Sequence, residues 1–122
     1  MVFQCTNAFV TLASHELEKL VDFYTQLLGQ EPKQYIPNVY AEFQLPGLRL
    51  GIFRPKVTNQ QEFESAKSSM SLCLEVNDLE EALAHFTAMG YLLKNEILIA
   101  SHGREIYAYD PAGNRLILHQ MT

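Results

Sequence analysis

Apolar residues recur along the chain with two periods, one typical of strands and one typical of helices. Residues 9–13 alternate as a strand does, and the next apolar positions follow a helical spacing: Leu17, Leu20, Val21, Tyr24, Leu27 and Leu28. Ser14 is the expected N-cap of this helix, and Gly29 with Pro32 beyond it predicts the helix end. Further strands are expected at 33–36, 39–45 and 48–54.

The second half of the chain repeats this order of elements. Residues 71–76 predict a strand, and Asn77 is the expected cap of a helix with Glu80 at the capping-box position. The helix itself is indicated by apolar residues at helical spacing: Leu79, Ala82, Leu83, Phe86 and Met89. Strands are expected near 91–94, 104–109 and 115–120, and residues 96–100 fit either a short strand or a loop.

The two halves also match position by position. The stretch that begins at Gly47 aligns with the one that begins at Gly113, 66 residues later, and the helices align with an offset of 62, as Leu17 does with Leu79. We therefore predict an α+β protein of two tandem βαβββ modules in a single domain, 1–122. The first module covers 1–54, a surface linker covers 55–69 with one helical turn at 61–66, and the second module covers 70–122. One helix covers only one face of each sheet, so curled half-barrel sheets should surround a cleft, with the helices outside.

The composition excludes some kinds of binding partner. The chain has 122 residues, a formal net charge of −5 and no cluster of Lys and Arg, which argues against nucleic acid or an anionic membrane as the partner. No apolar run is long enough to span a membrane and no leader peptide is evident, so a soluble, cytoplasmic protein is expected. Cys5 and Cys73 are isolated in sequence, which suggests neither a disulfide nor a zinc site, and Cys73 is expected to be a small buried residue.

Three motifs resemble one known family. They are Phe23-Tyr24 followed by Leu28-Gly29, the run Leu-Glu-Val-Asn-Asp-Leu at 74–79, and Asp-Pro-Ala-Gly-Asn at 110–114. Together they resemble the vicinal oxygen chelate superfamily, which includes glyoxalase I, bleomycin-resistance proteins, fosfomycin-resistance enzymes and extradiol dioxygenases. The resemblance implies the fold predicted above and a homodimer with sites at the dimer interface. It does not select an activity, because one scaffold hosts several chemistries.

In the metal-dependent members, the resemblance implies four inward ligand positions, at the start of the first strand and the middle of the last strand of each module. Those positions fall on Phe9, Gly51, Ser71 and Ile117. A two-residue gap would place Asn7 instead of Phe9. Divalent ions need imidazole or carboxylate groups from several side chains, and this set offers none. We therefore expect no metal and no other cofactor.

The remaining candidates are residues that share the inward side of the strands and suit a small organic ligand. The ligand-binding set is Phe9, Thr11, Tyr40, Glu42, Arg49, Ser71, Cys73, Glu75, Tyr107, Tyr109, Arg115, Ile117 and His119. Arg49 and Arg115 either hold an anionic ligand or pair structurally with Glu42 or Glu75. His119, close to the C-terminus, is either a solvated or hydrogen-bonded side chain or part of the site.

Three functions remain open. The first is metal-free binding of a small organic molecule, as in the bleomycin-sequestering branch of the superfamily. The second is a metal-dependent lyase or dioxygenase with shifted ligands, for which Glu42, Glu75 and His119 are the inward set. The third is a protein-interaction module with a vestigial cleft. The sequence leaves open whether any reaction is catalysed and which ligand is bound.

Overall fold

A computed structural model describes residues 3–64, 68–93 and 96–122. It contains two four-stranded sheets, each with one α-helix, and a 3-10 helix between the modules. The elements are β1 (Val10–Ala13), α1 (Leu17–Leu28), β2 (Gln34–Ile36), β3 (Tyr40–Leu45), β4 (Leu48–Phe53), the 3-10 helix (Val57–Phe63), β5 (Leu72–Glu75), α2 (Leu79–Ala88), β6 (Leu98–Ala100), β7 (Gly103–Tyr109) and β8 (Arg115–Met121). The predicted α+β class and the two βαβββ modules are confirmed. No helix in the described ranges is long and apolar enough to cross a membrane.

The two sheets have the same topology. Their strand orders are β1-β4-β3-β2 and β5-β8-β7-β6. In each sheet the first strand runs parallel to the last strand of its module, and the other neighbours are antiparallel. The parallel pairs bring Thr11 beside Gly51 and Glu75 beside His119. Because registered neighbours point to the same side of a sheet, these pairs share a face.

One face of each sheet forms the core beneath the helices. Alternate residues of β3, β4, β7 and β8 are fully buried there, among them Phe43, Leu50, Ile106 and Leu116. The two helices meet at Phe23, whose ring packs edge-on against that of Phe86 with centroids 6.0 Å apart. The cores of the two modules are therefore continuous. On the opposite face of the first sheet, Phe63 of the 3-10 helix packs against Phe53.

Both helices begin one or two residues later than the sequence predicts. The N-cap of α1 is Glu16, and the hydroxyl of Ser14 accepts a hydrogen bond from the Glu16 backbone N–H instead of capping the helix. The N-cap of α2 is Asp78, whose carboxylate accepts from the Glu81 N–H, so Asn77 was the wrong choice. In both cases a neighbouring polar residue competes for the same role, which sequence spacing alone does not resolve.

Two strand and turn assignments also change. Residues 91–93 of the expected strand 91–94 are not in a strand, because Tyr91 packs edge-on against Phe23 and joins the core between the modules. Lys94 lies outside the described residues. Within 96–100, which the sequence assigns to either a short strand or a loop, Leu98–Ala100 form strand β6. The helical turn expected at 61–66 is instead the 3-10 helix at 57–63, with residues 65 and 66 outside the described ranges.

Candidate functional site

We use the term open face for the side of each sheet that faces away from the α-helices and the core. It is defined by the residues that alternate with the buried core positions on each strand. The open face of the first sheet carries Phe9, Thr11, Tyr40, Glu42, Arg49 and Gly51. The open face of the second sheet carries Ser71, Cys73, Glu75, Glu105, Tyr107, Tyr109, Arg115, Ile117 and His119. Every residue of the predicted ligand-binding set therefore lies on one of these two faces.

On the first open face, the arginine is held by an aromatic ring and a carboxylate. The Arg49 guanidinium lies over the Phe9 ring, 4.1 Å from its centroid, and Arg49 Nε is 3.8 Å from Glu42 Oε1. The Tyr40 hydroxyl donates to the same carboxylate at 2.8 Å. Burial and the Glu42 carboxylate raise the pKa of the Tyr40 phenol above its usual range, so this hydroxyl stays protonated.

The same tyrosine fills the space beside Gly51. A β-carbon placed on Gly51 would lie 2.8 Å from the Tyr40 hydroxyl oxygen and 3.2 Å from its ring. Any longer side chain at this position would have to displace that ring. Gly51 therefore accommodates Tyr40 by having no side chain.

The four positions at which the resemblance implies metal ligands do not fit a metal here. Phe9, Gly51 and Ile117 have no donor atom in their side chains. The Ser71 hydroxyl accepts a hydrogen bond from Arg115 Nε at 2.7 Å. The positive charge of the guanidinium beside this oxygen would repel a metal cation. Across the described part of the chain, no group of three or more His, Cys, Asp and Glu side chains is placed to hold a metal ion.

On the second open face, Arg115 is held by Ser71 and by the chain just before β5. Besides Ser71, its guanidinium donates to the backbone carbonyl of Ser68 at 2.8 Å and, more weakly, to that of Met70 at 3.3 Å. These contacts tie the segment before β5 to the start of β8. Arg115 lies beside Tyr109 in the strand register, and Tyr109 is 48% exposed.

Further along the same face, a histidine pairs with a carboxylate. His119 Nδ1 lies 2.8 Å from Glu75 Oε1 and 3.0 Å from Oε2, and the histidine is only 8% exposed. Glu105 is its register neighbour on the other side. Cys73 is exposed, not buried as expected, because it lies on the open face of edge strand β5. Partial desolvation, with Glu75 and Glu105 nearby, raises the pKa of the Cys73 thiol.

These contacts form two clusters on separate sheets. Glu75 and His119 are brought together, but Glu42 is on the other sheet, with Tyr40 and Arg49. In the described residues of one chain, the shifted ligand set of Glu42, Glu75 and His119 is therefore not assembled.

The modules contact each other through helices and turns. The buried Tyr24 hydroxyl donates to Asp110 Oδ2 at 2.7 Å, and His85 Nε2 lies 2.9 Å from the Gln26 carbonyl oxygen. A cavity of about 740 Å³, the seam groove, lies between the modules. Its walls include Leu28, Leu48, Cys73, Glu75, Glu81 and Phe86. Sequence analysis identified neither the Tyr24–Asp110 contact nor the seam groove, because both join segments far apart in the chain.

Comparison with known proteins identifies the family. A family model described as the Glyoxalase/Bleomycin resistance protein/Dioxygenase superfamily matches residues 7–118. The chain belongs to this superfamily. The resemblance predicted from the sequence is thus confirmed. No protein with a curated description matches the chain.

Solved structures of this superfamily are similar over almost the whole chain. A glyoxalase-related enzyme from Fulvimarina pelagi is 25% identical, with a TM-score of 0.74, and the alignment covers 95% of this chain and 88% of that one. A glyoxalase/bleomycin resistance protein from Catenulispora acidiphila is 23% identical, with a TM-score of 0.71 and coverage of 95% and 98%. Lactoylglutathione lyase from Agrobacterium tumefaciens is 19% identical, with a TM-score of 0.71 and coverage of 95% and 94%. At these identities the likeness concerns the fold.

Proposed function

We propose that this superfamily member binds a small organic molecule on its open faces without a metal ion. The observation that carries the proposal is the Tyr40 ring beside Gly51, since it takes the space that a ligand side chain would need. The remaining surface is aromatic with a few polar groups. Such a lining suits a compact molecule with an apolar body and one or two hydrogen-bonding groups.

The contacts of Arg115 favour a neutral ligand over an anionic one on the second open face. Arg115 already donates to Ser71 and to a backbone carbonyl, and Arg49 is stacked on Phe9 beside Glu42. An anion bound by Arg115 would have to compete with its hydrogen bonds, whereas the buried Arg49 Nε has no hydrogen-bond partner in the described residues. A neutral aromatic ligand could instead stack on the exposed Tyr109 without displacing a charged contact.

We further propose that the protein is a homodimer in which the open faces are covered by a second copy. Phe9 and Tyr109 are 43% and 48% exposed, although both are large aromatic residues. The contacts within one chain run through helices and turns, as Tyr24–Asp110 does, so they do not cover these faces. A second copy would bury the exposed rings and enclose the ligand.

Binding is tested by the shift in melting temperature with a panel of neutral aromatic compounds and matched carboxylated ones. The binding variant is Tyr109→Ala and its control is Tyr35→Ala, a tyrosine of similar exposure, 44%, which contacts Glu18 of α1 and so lies on the helix side. We expect at least one neutral compound to stabilise the wild type and the Tyr35→Ala protein but not Tyr109→Ala. If no compound in the panel stabilises the wild type, the binding proposal is wrong and an interaction module becomes the better hypothesis.

The metal-free part of the proposal has its own measurement. Elemental analysis after gel filtration without chelator should find far less than one Zn, Ni, Fe or Mn per chain. About one equivalent of any of these metals would contradict the proposal and favour a metal-dependent lyase or dioxygenase with unusual ligands.

A further inference from the structure

We propose that the seam groove binds an extended segment of a partner protein, which adds a strand to the free edge of β5. The segment carries apolar side chains that alternate with lysine or arginine. The proposal goes beyond small-molecule binding on the open faces and does not depend on it. In the described residues β5 is the terminal strand of its sheet and pairs with β8 alone, so its other edge has no neighbouring strand. An unpaired strand edge is a template for a further strand.

The backbone groups of two residues determine what this edge offers. The Val76 N–H donates to the His119 carbonyl at 2.8 Å, so the backbone of Val76 faces β8. Backbone N–H and C=O groups point alternately to the two edges of a strand, so those of Cys73 and Glu75 point away from β8. No backbone hydrogen bond joins either residue to a group outside its sheet in the described ranges. The edge therefore presents two donors and two acceptors to an added strand.

The seam groove lies along this edge. Its walls include every residue from 73 to 76. Successive residues of an extended chain point to opposite faces of the sheet, so a cavity that contacts all four lies at the edge and not on one face. The other walls come from α2, the end of α1 and the turn between β3 and β4. A strand bound there would have apolar surroundings in a cavity of about 740 Å³.

The two sides of β5 predict the side-chain pattern of the partner. Leu74 and Val76 pack against the core on the helix side, and Phe86 and Leu28 are also among the walls of the groove. The alternate residue Glu75 lies on the open face. Side chains of neighbouring strands alternate in the same way, so every second residue of the partner would meet the apolar side. The residues between them would lie beside Glu75.

The charge of the groove predicts which polar residues these are. Glu75, Asp78 and Glu81 line the groove, and none of the described residues in its walls is lysine or arginine. The Glu81 carboxylate has no hydrogen-bond or ion-pair partner in the described ranges, whereas the ring of His85 lies against the Gln26 carbonyl oxygen. Such a lining attracts lysine and arginine and opposes acidic side chains.

The first module provides an internal comparison. Its equivalent edge strand is β1, and a cavity of about 390 Å³ lies at the end of that strand, beside the turn between β7 and β8. Of the β1 residues, all of which the structure describes, Ala13 alone lines this cavity, and its other walls include His15 and Lys19. A groove along a strand edge with acidic walls is therefore a feature of β5 and not a consequence of the module fold.

Binding is tested by fluorescence anisotropy with a short labelled peptide of alternating valine and lysine. A peptide of alternating valine and glutamate is its control. We expect the basic peptide to bind the wild type and the acidic one not to bind. Glu81→Lys should weaken binding of the basic peptide at low salt, whereas Glu62→Lys, at an exposed position outside the groove, should match the wild type. Binding of the acidic peptide as tightly as the basic one, or no binding of either, overturns the proposal, as does equal affinity in Glu81→Lys and Glu62→Lys.

Strand addition is tested by Cys73→Pro against Cys73→Ala. Both variants remove the thiol, but only proline removes the N–H at the free edge, and neither removes a hydrogen bond to β8. Cys73→Pro should bind the basic peptide about tenfold more weakly than Cys73→Ala. Equal affinities overturn strand addition. If light scattering gives a monomer for Cys73→Pro and a dimer for Cys73→Ala, the edge belongs to a second copy and the partner proposal is wrong.

Two modified peptides test the wild type itself, which covers the case in which Cys73→Pro fails to fold. Each is the basic peptide with its backbone N-methylated at alternate residues, one at the valines and the other at the lysines. An added strand turns only one of these sets toward β5, so one version should bind like the parent and the other should lose binding. Equal binding of the two versions overturns strand addition. All these outcomes leave small-molecule binding on the open faces to its own melting assay.

Discussion

Replacing Tyr24 by phenylalanine tests the contact that joins the two modules in the core. The Tyr24 hydroxyl donates to Asp110 at 2.7 Å, and the two residues are 0% and 4% exposed. Phenylalanine keeps the ring but removes the donor, and water cannot reach the carboxylate easily to replace it. A hydrogen bond to a charged group contributes about 1.5–3 kcal/mol. We expect Tyr24→Phe to lower the free energy of unfolding by an amount near the lower end of that range. The reason is that Asp110 keeps hydrogen bonds from the backbone N–H groups of Ala112 and Asn114.

Urea denaturation followed by circular dichroism measures this loss, with Tyr91→Phe as the matched control. The Tyr91 ring also packs edge-on against Phe23, with centroids 5.1 Å apart, but its hydroxyl makes no hydrogen bond with a residue in the described ranges. We expect the control to change the free energy of unfolding by less than about 0.5 kcal/mol. A Tyr24→Phe protein as stable as the control would refute the reasoning.

The same variant should also change the response to alkaline pH. Burial, and then the charge of Asp110, raise the pKa of the Tyr24 phenol above its ordinary value near 10. The stabilisation is therefore complete below pH 10 and is lost above it, because the unfolded chain releases the Tyr24 proton first. Above pH 10 the wild type should lose about 1.4 kcal/mol more per pH unit than Tyr24→Phe. Parallel stability curves for the two proteins would contradict this assignment.

Three further predictions follow from other contacts. Gly51→Ala should destabilise the protein by about 1–3 kcal/mol through a clash with Tyr40, and denaturation in the Tyr40→Ala background should show most of that loss removed. The pKa of Glu80 is lowered to about 2, chiefly by hydrogen bonds from Arg104, so any stability that Arg104→Gln loses relative to wild type should shrink as pH falls from 4.5 toward 2; a difference independent of pH would contradict the pairing. Light scattering at tens of micromolar should give twice the chain mass of 13.9 kDa, and the monomer mass would contradict the proposed homodimer.

The fold could be predicted because the same pattern of apolar and polar positions occurs twice in the chain. Leu17 and Leu79 are both fully buried at equivalent positions of α1 and α2, and Leu50 and Leu116 are buried at equivalent positions of β4 and β8. Such repetition allows a weak pattern in one half to be checked against the other. The errors fell where the halves differ, as at Tyr91, whose side chain packs between the modules and not on a sheet.

The site was predicted less completely, for a physical reason. Alternation along a strand fixes which side chains share a face, and all the predicted ligand-binding residues do lie on the open faces. Alternation does not fix their partners, because these come from register and from distant segments. Arg115 meets Ser71 across 44 residues of chain, and Tyr24 meets Asp110 across 86. The sequence identified these side chains without indicating which of them are free to meet a ligand.

The internal repeat also separates residues that the fold needs from residues that it does not. The register pair Glu75 and His119 on β5 and β8 corresponds to Ala13 and Phe53 on β1 and β4. A requirement of the βαβββ module would recur at both places, as the buried leucines do, but here one module has an acid–base pair and the other has apolar groups. Phe53 packs edge-on against Phe63, with ring centroids 5.0 Å apart, so its surroundings are aromatic. The hydrogen-bonded pair of Glu75 and His119 is therefore not a requirement of the module fold, since the first module has apolar groups at the equivalent positions.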